Sequence, residues 1–183
     1  MPMNRWSTYE SPTGRLSMAC DAEGTHLVGL WMEGQKHFPT ALLDAARPDD
    51  EAPVFGLVRD WLDRYFAGER PAIARIPRAP EGSAFRRQVW DLLCEIPSGS
   101  VTTYGAIARR LADARGVPSV SAQAVGGAVG HNPISIIVPC HRVVGASGSL
   151  TGYAGGIDRK IALLRLEGAD VEALSVPTRG TAL

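Results

Sequence analysis

The segment RPAIARIPRAPEG, residues 70–82, contains three prolines and separates two parts of the chain with different sequence patterns. Proline lacks a backbone N–H, so it interrupts helices and central strands. Before the segment come short runs broken by turns and then one stretch at helical spacing, whereas after it several stretches recur at helical spacing. We therefore predict a strand followed by a linker here. This boundary gives two small domains, residues 1–80 and 81–168, followed by a partly disordered tail over residues 169–183.

Composition is that of an ordinary globular chain, with 45% hydrophobic and 21% charged residues among 183. No apolar run is long enough to cross a bilayer, and the first residues lack the apolar centre of a signal peptide, so we expect a cytoplasmic protein. The three cysteines form no CxxC pair and are odd in number, which predicts free thiols. They are Cys20, Cys94 and Cys140.

The N-terminal part shows the pattern of a sheet with a helix. The runs RWSTYE, RLSMAC and HLVGLWM are separated by SPTG and DAEGT, a spacing that predicts an antiparallel meander. Apolar residues then recur at helical spacing from Val54 to Phe66, which predicts an amphipathic helix facing the core.

The C-terminal part is predicted to be mostly helical. Ser83 is a candidate cap for a helix that Pro97 stops, and Thr102 or Thr103 for a second helix. After a turn containing Gly and Pro, a third helix is predicted from about 119 to 129, which completes the outline of a helix-turn-helix. Its side chains are nearly all small, so two explanations stay open: tight packing against another helix, or a surface facing nucleic acid.

The run IIVPCHRVVG places Cys140 directly before His141 and Arg142, after a predicted strand over residues 134–138. A free thiol has a pKa of about 8.5, so nucleophilic use requires a base or a positive environment. His141 is a candidate base, acting directly or through a water. Cys140 is therefore either a reactive nucleophile, which we favour, or a buried structural thiol.

Glu167 ends the last predicted helix, where the helix dipole disfavours a carboxylate by about 0.3 to 1 kcal/mol. A hydrogen bond from His141 would explain this position and would complete a relay of Glu, His, water and Cys. The alternative is a solvated glutamate at a fraying helix end. Asn132, in the turn HNP, is a candidate for tying that turn to the cysteine loop, and Tyr153 for one wall of a pocket.

PCHRVV, with Asn132-Pro133 before it and GYAGG, Lys160 and Glu167-Gly168 after it, resembles the O6-alkylguanine-DNA alkyltransferases. The resemblance implies an α+β fold of two small domains, with a ribonuclease H-like sheet and helix first and a mostly helical domain with a helix-turn-helix second. It implies irreversible transfer of an alkyl group from O6-alkylguanine in double-stranded DNA to Cys140, one event per molecule and without a cofactor. We expect the protein to act as a monomer. It also implies minor-groove binding and a flipped nucleotide.

The same resemblance implies roles for individual residues. Cys140 is the alkyl acceptor, His141 the base through water, and Glu167 the group that orients His141. Asn132 supports the active-site turn, and Tyr104 presses on the target phosphate and protonates the departing guanine. The DNA-contacting positions are Tyr104, Ala122, Gln123, Ala124, Gly127, Arg142 and Ser147. The substrate pocket positions are Val129, Val143, Tyr153, Ala154 and Lys160.

Three departures from the family pattern stand out. Gln123 occupies the place of an arginine that in many members enters the base stack, so the charge is missing. Ala154 stands where some relatives have serine, which bears on the alkyl groups that fit. Cys20 and His26 fall near two of four zinc ligands of some relatives, but a second N-terminal cysteine is lacking, so we expect no zinc site.

Two other functions remain as alternatives. An alkyltransferase-like lesion sensor would bind without efficient transfer; Cys140 argues against it, whereas Gln123 keeps it open. A cysteine hydrolase using Cys140 and His141 would show turnover and an oxyanion pocket.

Overall fold

The computed structural model describes residues 3–177. The chain forms two compact units. Unit 1 runs to Glu81 and includes residues 133–135, and unit 2 comprises Gly82–Asn132 and the chain from Ile136 onward. The return of three residues to unit 1 follows from tertiary contacts, and the sequence pattern did not predict it.

Unit 1 is built on a four-stranded sheet. Strands β1 (Arg5–Ser11), β2 (Gly14–Cys20) and β3 (Leu27–Met32) form the predicted antiparallel meander. Strand β4 (Arg47–Pro48) adds to the free edge of β1 in parallel, giving the order β3-β2-β1-β4. Such a two-residue strand is too short to leave a periodic signal in the sequence.

Two helices belong to unit 1, the short α1 (Thr40–Asp44) and the longer α2 (Pro53–Phe66). Proline at the first position of α2 is favourable, because that N–H has no partner within a helix. The apolar stripe faces inward as predicted, and the indole of Trp61 stacks on Tyr65 with ring centroids 5.2 Å apart. The buried residues of α2 are Val54, Phe55, Val58, Trp61, Leu62 and Tyr65.

The predicted strand within residues 70–82 is wrong. The chain there forms a 3-10 turn over Ile73–Arg75 and then a single bridge to β3. In that bridge Leu27 N donates to Pro77 O at 2.9 Å, and Ala79 N donates to Leu27 O at 2.9 Å. Prolines on both sides of Arg78 lack the N–H that a longer ladder needs.

The predicted strand over residues 134–138 is also wrong. Leu30 N donates to Pro133 O and Ser135 N donates to Leu30 O, both at 2.8 Å, but pairing stops after that bridge. Ile136 has φ +69°, a left-handed conformation rarely adopted by a β-branched residue. The chain therefore turns between the bridge and the cysteine loop.

Unit 2 contains four helices and a small parallel ladder. The helices are α3 (Ala84–Cys94), α4 (Tyr104–Arg115), α5 (Ala122–Gly130) and α6 (Ile157–Leu166). Strands β5 (Thr102–Thr103) and β6 (Val143–Val144) pair with each other. The predicted caps are confirmed, because Ser83 Oγ accepts from Arg86 N at 3.2 Å and Thr103 Oγ1 from Ala106 N at 3.1 Å.

Helices α4 and α5 form the helix-turn-helix. Gly116 ends α4 at φ +63°, and Ser121 caps α5, which begins three residues later than predicted. The inner face of α5 carries Val125, Ala128 and Val129. The exposed residues of α5 are Ala122, Gln123, Ala124 and Gly127, so the small residues lie on both the packed and the open face.

The start of the predicted disordered tail instead packs on unit 2. Val171 and Leu174 join a cluster around Val144, Leu150 and Leu164. A bridge in which Leu150 N donates to Ser175 O at 2.8 Å holds the same segment to the chain after β6. The first residues of the tail, up to Ser175, are therefore ordered, while residues 178–183 lie outside the described part. Across residues 3–177 no helix has the length and apolar character needed to span a membrane.

Candidate active site

Cys140 begins a 3-10 turn, Cys140–Arg142, directly after Pro139. Its side chain is buried, with a relative exposure of 6%. Asn132, two residues after the end of α5, donates through Nδ2 to Val138 O at 2.8 Å and to Cys140 Sγ at 3.1 Å. One amide thus joins the end of the helix-turn-helix to the cysteine loop and places a donor on the sulfur.

His141 points into the interior, where it is fully buried and meets Glu167. The distance from His141 Nε2 to Glu167 Oε1 is 2.7 Å. Because an ionised carboxylate only accepts hydrogen bonds, Nε2 carries the proton in the neutral ring. Nδ1 then has a free lone pair, and within the described residues it has no hydrogen-bond partner. The imidazole is therefore held in the tautomer that leaves Nδ1 as a base.

Arg142 is not at the surface, which corrects its prediction as a DNA-contacting residue. Its relative exposure is 5%, and its guanidinium donates to Glu167 through Nε at 2.8 Å and through Nη2 at 2.9 Å. A third nitrogen, Nη1, donates to Ile96 O. Gly99 N also donates to Glu167, at 3.3 Å. These donors offset the helix dipole and explain why a carboxylate ends α6.

Burial and hydrogen bonding set the protonation states of this group. Burial would raise the pKa of Glu167, but the hydrogen bonds from His141 and Arg142 together hold that pKa well below its usual range. Burial lowers the pKa of His141, against the opposing effect of Glu167. Burial raises the pKa of the Cys140 thiol, partly offset by the Asn132 hydrogen bond. At neutral pH the site therefore holds a carboxylate, a neutral imidazole and a thiol, so attack by the sulfur requires proton removal.

Of the predicted pocket positions, Lys160 is hydrogen-bonded both to β6 and to the segment after it. Lys160 is fully buried and donates through Nζ to Val143 O at 2.6 Å and Thr151 O at 3.0 Å. Burial lowers the pKa of Lys160 to about 8. The Tyr153 ring lies edge-on to His141, with centroids 6.5 Å apart. Val143 and Val129 are buried, at 0% and 2% exposure, while Ala154 is half-buried.

Tyr104, the first residue of α4, reaches the same segment. Its hydroxyl donates to Thr151 O at 3.1 Å, so one carbonyl accepts from both Tyr104 and Lys160. Burial, with a smaller contribution from Cys140, raises the pKa of Tyr104 to about 12. Its hydroxyl therefore stays protonated at neutral pH and can serve as a proton donor.

Two backbone groups around Tyr104 were not assigned a specific role from the sequence. Gly152 has φ +75°, and a Cβ at this position would lie 2.5 Å from the Tyr104 hydroxyl oxygen. Only glycine therefore allows this close approach without displacement. The Thr151 carbonyl was missed for a different reason, since any residue supplies a carbonyl and no sequence signal marks it. Ser147 is exposed in the neighbouring turn, which Gly145 N closes by donating to Ser149 O at 2.8 Å.

His26 and Cys20 do not belong to a metal-binding cluster of the described residues. His26 Nδ1 lies 3.1 Å from Asp21 Oδ2, and Cys20 is buried in β2. Among residues 3–177 no group of three or more His, Cys, Asp or Glu side chains is arranged to hold a metal ion.

Two family models match the chain. Residues 4–80 match the ribonuclease-like domain of 6-O-methylguanine DNA methyltransferase, and residues 84–169 match its DNA binding domain. Together they span nearly all of the described chain. The two matched domains, in this order, agree with the predicted α+β class of a sheet with helices followed by a mostly helical domain. The predicted fold class is thereby confirmed.

Similar proteins carry the name methylated-DNA–protein-cysteine methyltransferase. The protein from Shigella flexneri is 51% identical over 162 residues, which cover 86% of this chain and 92% of the relative. The one from Haemophilus influenzae is 43% identical over 163 residues, which cover 88% of this chain and 85% of the relative.

The solved structures give the same result. The crystal structure of Mycobacterium tuberculosis O6-methylguanine methyltransferase matches with a TM-score of 0.76 and 45% identity, covering 91% of this chain and 93% of that chain. A structure of Mycobacterium tuberculosis OGT in complex with DNA matches with a TM-score of 0.76 and 43% identity, covering 93% of this chain and 94% of that chain. With both domains matched in order and relatives this similar over most of their length, the chain belongs to the 6-O-methylguanine DNA methyltransferase family.

Proposed function

We propose that this protein repairs DNA by moving the alkyl group of O6-alkylguanine onto its own Cys140, once per molecule. The observation that carries the proposal is the buried His141–Glu167 pair, which leaves His141 Nδ1 free as a base next to the thiol in sequence. The names of the relatives and the DNA binding domain support the same reaction class.

The first chemical step is removal of the thiol proton. Glu167 accepts the Nε2 hydrogen of His141, so the proton of Cys140 passes to Nδ1, through a water as the family resemblance implies. The resulting imidazolium is stabilised by the buried carboxylate. Asn132 Nδ2 donates to the sulfur and stabilises the developing thiolate.

The second step is transfer of the alkyl group. An electron pair of the Cys140 sulfur forms the new bond to the alkyl carbon while the bond from that carbon to O6 breaks. The electron pair of the broken bond stays with the guanine, which takes a proton from the Tyr104 hydroxyl. Atoms and charges balance without a cofactor, since His141 releases the thiol proton to solvent and Tyr104 regains one proton from solvent, so no net proton is gained or lost.

The product explains why each molecule acts once. A thioether at Cys140 has no good leaving group, so water does not regenerate the thiol. A cysteine hydrolase would instead pass through a thioester, which water cleaves.

DNA binding is assigned to the open face of α5. Ala122, Ala124 and Gly127 present little side-chain bulk there, which suits close approach to a minor groove. We propose action as a monomer, since one chain supplies the nucleophile, the base and the helix-turn-helix. A cytoplasmic location suits a reaction that needs a reduced thiol and access to chromosomal DNA.

Intact mass measurement tests this function. Excess duplex containing O6-methylguanine is mixed with the protein, and the modified peptide is then mapped. We expect one methyl group on Cys140 and no second addition, with none on Cys140→Ala and a normal result for Cys94→Ala. An unmodified protein that still binds the lesion would instead support the sensor function, which Gln123 keeps open.

A further inference from the structure

Arg109 lies on the exposed face of α4, one helical turn after Gly105. Side chains on a helix lean toward its N-terminus, and here the lean is visible. A Cβ built on Gly105 would lie 3.7 Å from Arg109 Nη1 and 3.9 Å from Thr103 Oγ1. The guanidinium therefore lies over the first turn of α4, beside Tyr104.

This guanidinium differs from its neighbours in having no partner. Arg110, the next residue, pairs with Glu95, and Arg115 donates to Gln88. Within residues 3–177, the side chain of Arg109 makes no hydrogen bond or ion pair, even with Asp113 one turn further along α4. A cation over the first turn of a helix is also unfavourable, because the dipole is positive there. Its position is therefore suited to an anion that is brought from outside.

A groove opens beside Arg109 toward the start of α5. Its volume is about 400 Å³, and the other wall is the segment leading into α5. Small side chains keep it open, because Ala108 and Ala112 on α4 face Ala122, the first residue of α5. The groove thus runs from the unpartnered guanidinium to the helix whose open face is assigned to DNA.

We propose that Arg109 binds a backbone phosphate of the DNA strand and supplies positive charge that Gln123 does not provide. This inference rests on the proposed function and adds a contact to it. A guanidinium offers two parallel N–H donors that match two phosphate oxygens. Its place beside Tyr104 directs it to the strand near the target nucleotide, where it helps to position the duplex and takes no part in the chemistry.

The salt dependence of binding to undamaged duplex tests the contact. Arg109→Gln removes the charge of the guanidinium. Arg110→Gln, at the neighbouring exposed position of α4, is the matched control. Each phosphate contact contributes about 0.9 to the slope of log affinity against log salt concentration. We expect Arg109→Gln to lower the slope by about 0.9 and the affinity at 0.1 M salt roughly fivefold to tenfold. We expect Arg110→Gln to leave the slope within error of the unsubstituted protein.

Transfer kinetics separate this role from a general loss of structure. Arg109→Gln should slow transfer from O6-methylguanine duplex at subsaturating DNA roughly fivefold to tenfold, as affinity falls. Transfer from an O6-alkylguanine free base should not change. Arg109→Lys should restore the slope, since the charge returns.

Two results would overturn the inference: an unchanged slope in Arg109→Gln, or equal slowing on duplex and free base. Failure of the proposed function can be told apart from failure of this inference. If the proposed function were wrong, the unsubstituted protein would acquire no methyl group, whatever the salt dependence of binding by its variants.

Discussion

Glu167→Gln is the substitution that tests the buried network most directly. The carboxylate accepts from His141 and Arg142 on Oε1, and from Arg142 and Gly99 on Oε2. Glutamine keeps the shape of the side chain but replaces one carboxylate oxygen with an NH₂ group. The two N–H donors that pointed at the replaced oxygen then face another donor and lose their acceptor. Arg142 cannot lose its proton, and it would be left as a buried cation without an anionic partner.

The expected cost is large on the scale of a small protein. Removing one partner of a buried ion pair destabilises by about 3 to 5 kcal/mol, against a total stability of roughly 5 to 15 kcal/mol for a typical domain. Glu167 exposes only 1% of its side chain, so solvent screening does not reduce this figure much. We therefore expect Glu167→Gln to fold at 25 °C but to unfold at a clearly lower urea concentration.

The difference should depend on pH in a defined direction. The pKa of Glu167 is lowered in the folded state, so its contribution is present above the unfolded pKa of about 4.3. That contribution is lost as pH falls from there toward the folded pKa. The two proteins should therefore converge in stability in strongly acidic solution.

Urea unfolding under reducing conditions, followed by tryptophan fluorescence, measures the effect. Glu172→Gln is the matched control, because Glu172 is an exposed partner of Arg165 and should cost at most about 1 kcal/mol. A double-mutant cycle with Arg142→Met gives the coupling energy of the buried pair. If Glu167→Gln were no more destabilising than Glu172→Gln, the assignment of Arg142 and Glu167 as a buried, mutually dependent pair would be refuted.

Three other substitutions have defined outcomes. Gln123→Arg should speed transfer from O6-methylguanine duplex more than from free base; equal acceleration on both would exclude a role in base extrusion. Gly152→Ala should cost about 1 to 3 kcal/mol and slow duplex transfer, since its Cβ would displace the Tyr104 hydroxyl; Gly130→Ala, with open space around it, is the control in both assays. Leu174→Ala should lower the free energy of unfolding by about 1 to 2 kcal/mol, because Leu174 is only partly buried in its cluster; an unchanged urea midpoint would show that this segment does not stabilise unit 2.

Local patterns in the sequence predicted most elements of the fold. The alternation in the first thirty residues predicted β1 to β3, helical spacing predicted α2, and helical spacing with capping side chains predicted α3 and α4. These signals succeed because periodicity and capping depend on residues within one or two turns of each other. Short pairings such as β4 and the single bridges to β3 leave no such signal, since their partners lie far away in sequence.

The sequence by itself identified the family and predicted Cys140 as nucleophile with His141 as its base, because PCHR and the motifs around it are contiguous or ordered along the chain. Only the tertiary structure decided what Arg142 does. Its partner is Glu167, 25 positions later, and this pairing buries a residue that was predicted at the DNA surface. The same holds for Ile134–Val138, where an apolar run predicts a strand but only one bridge to Leu30 forms. Local sequence sets which conformations a segment favours, whereas burial and the pairing of charges depend on which distant groups the fold brings within reach.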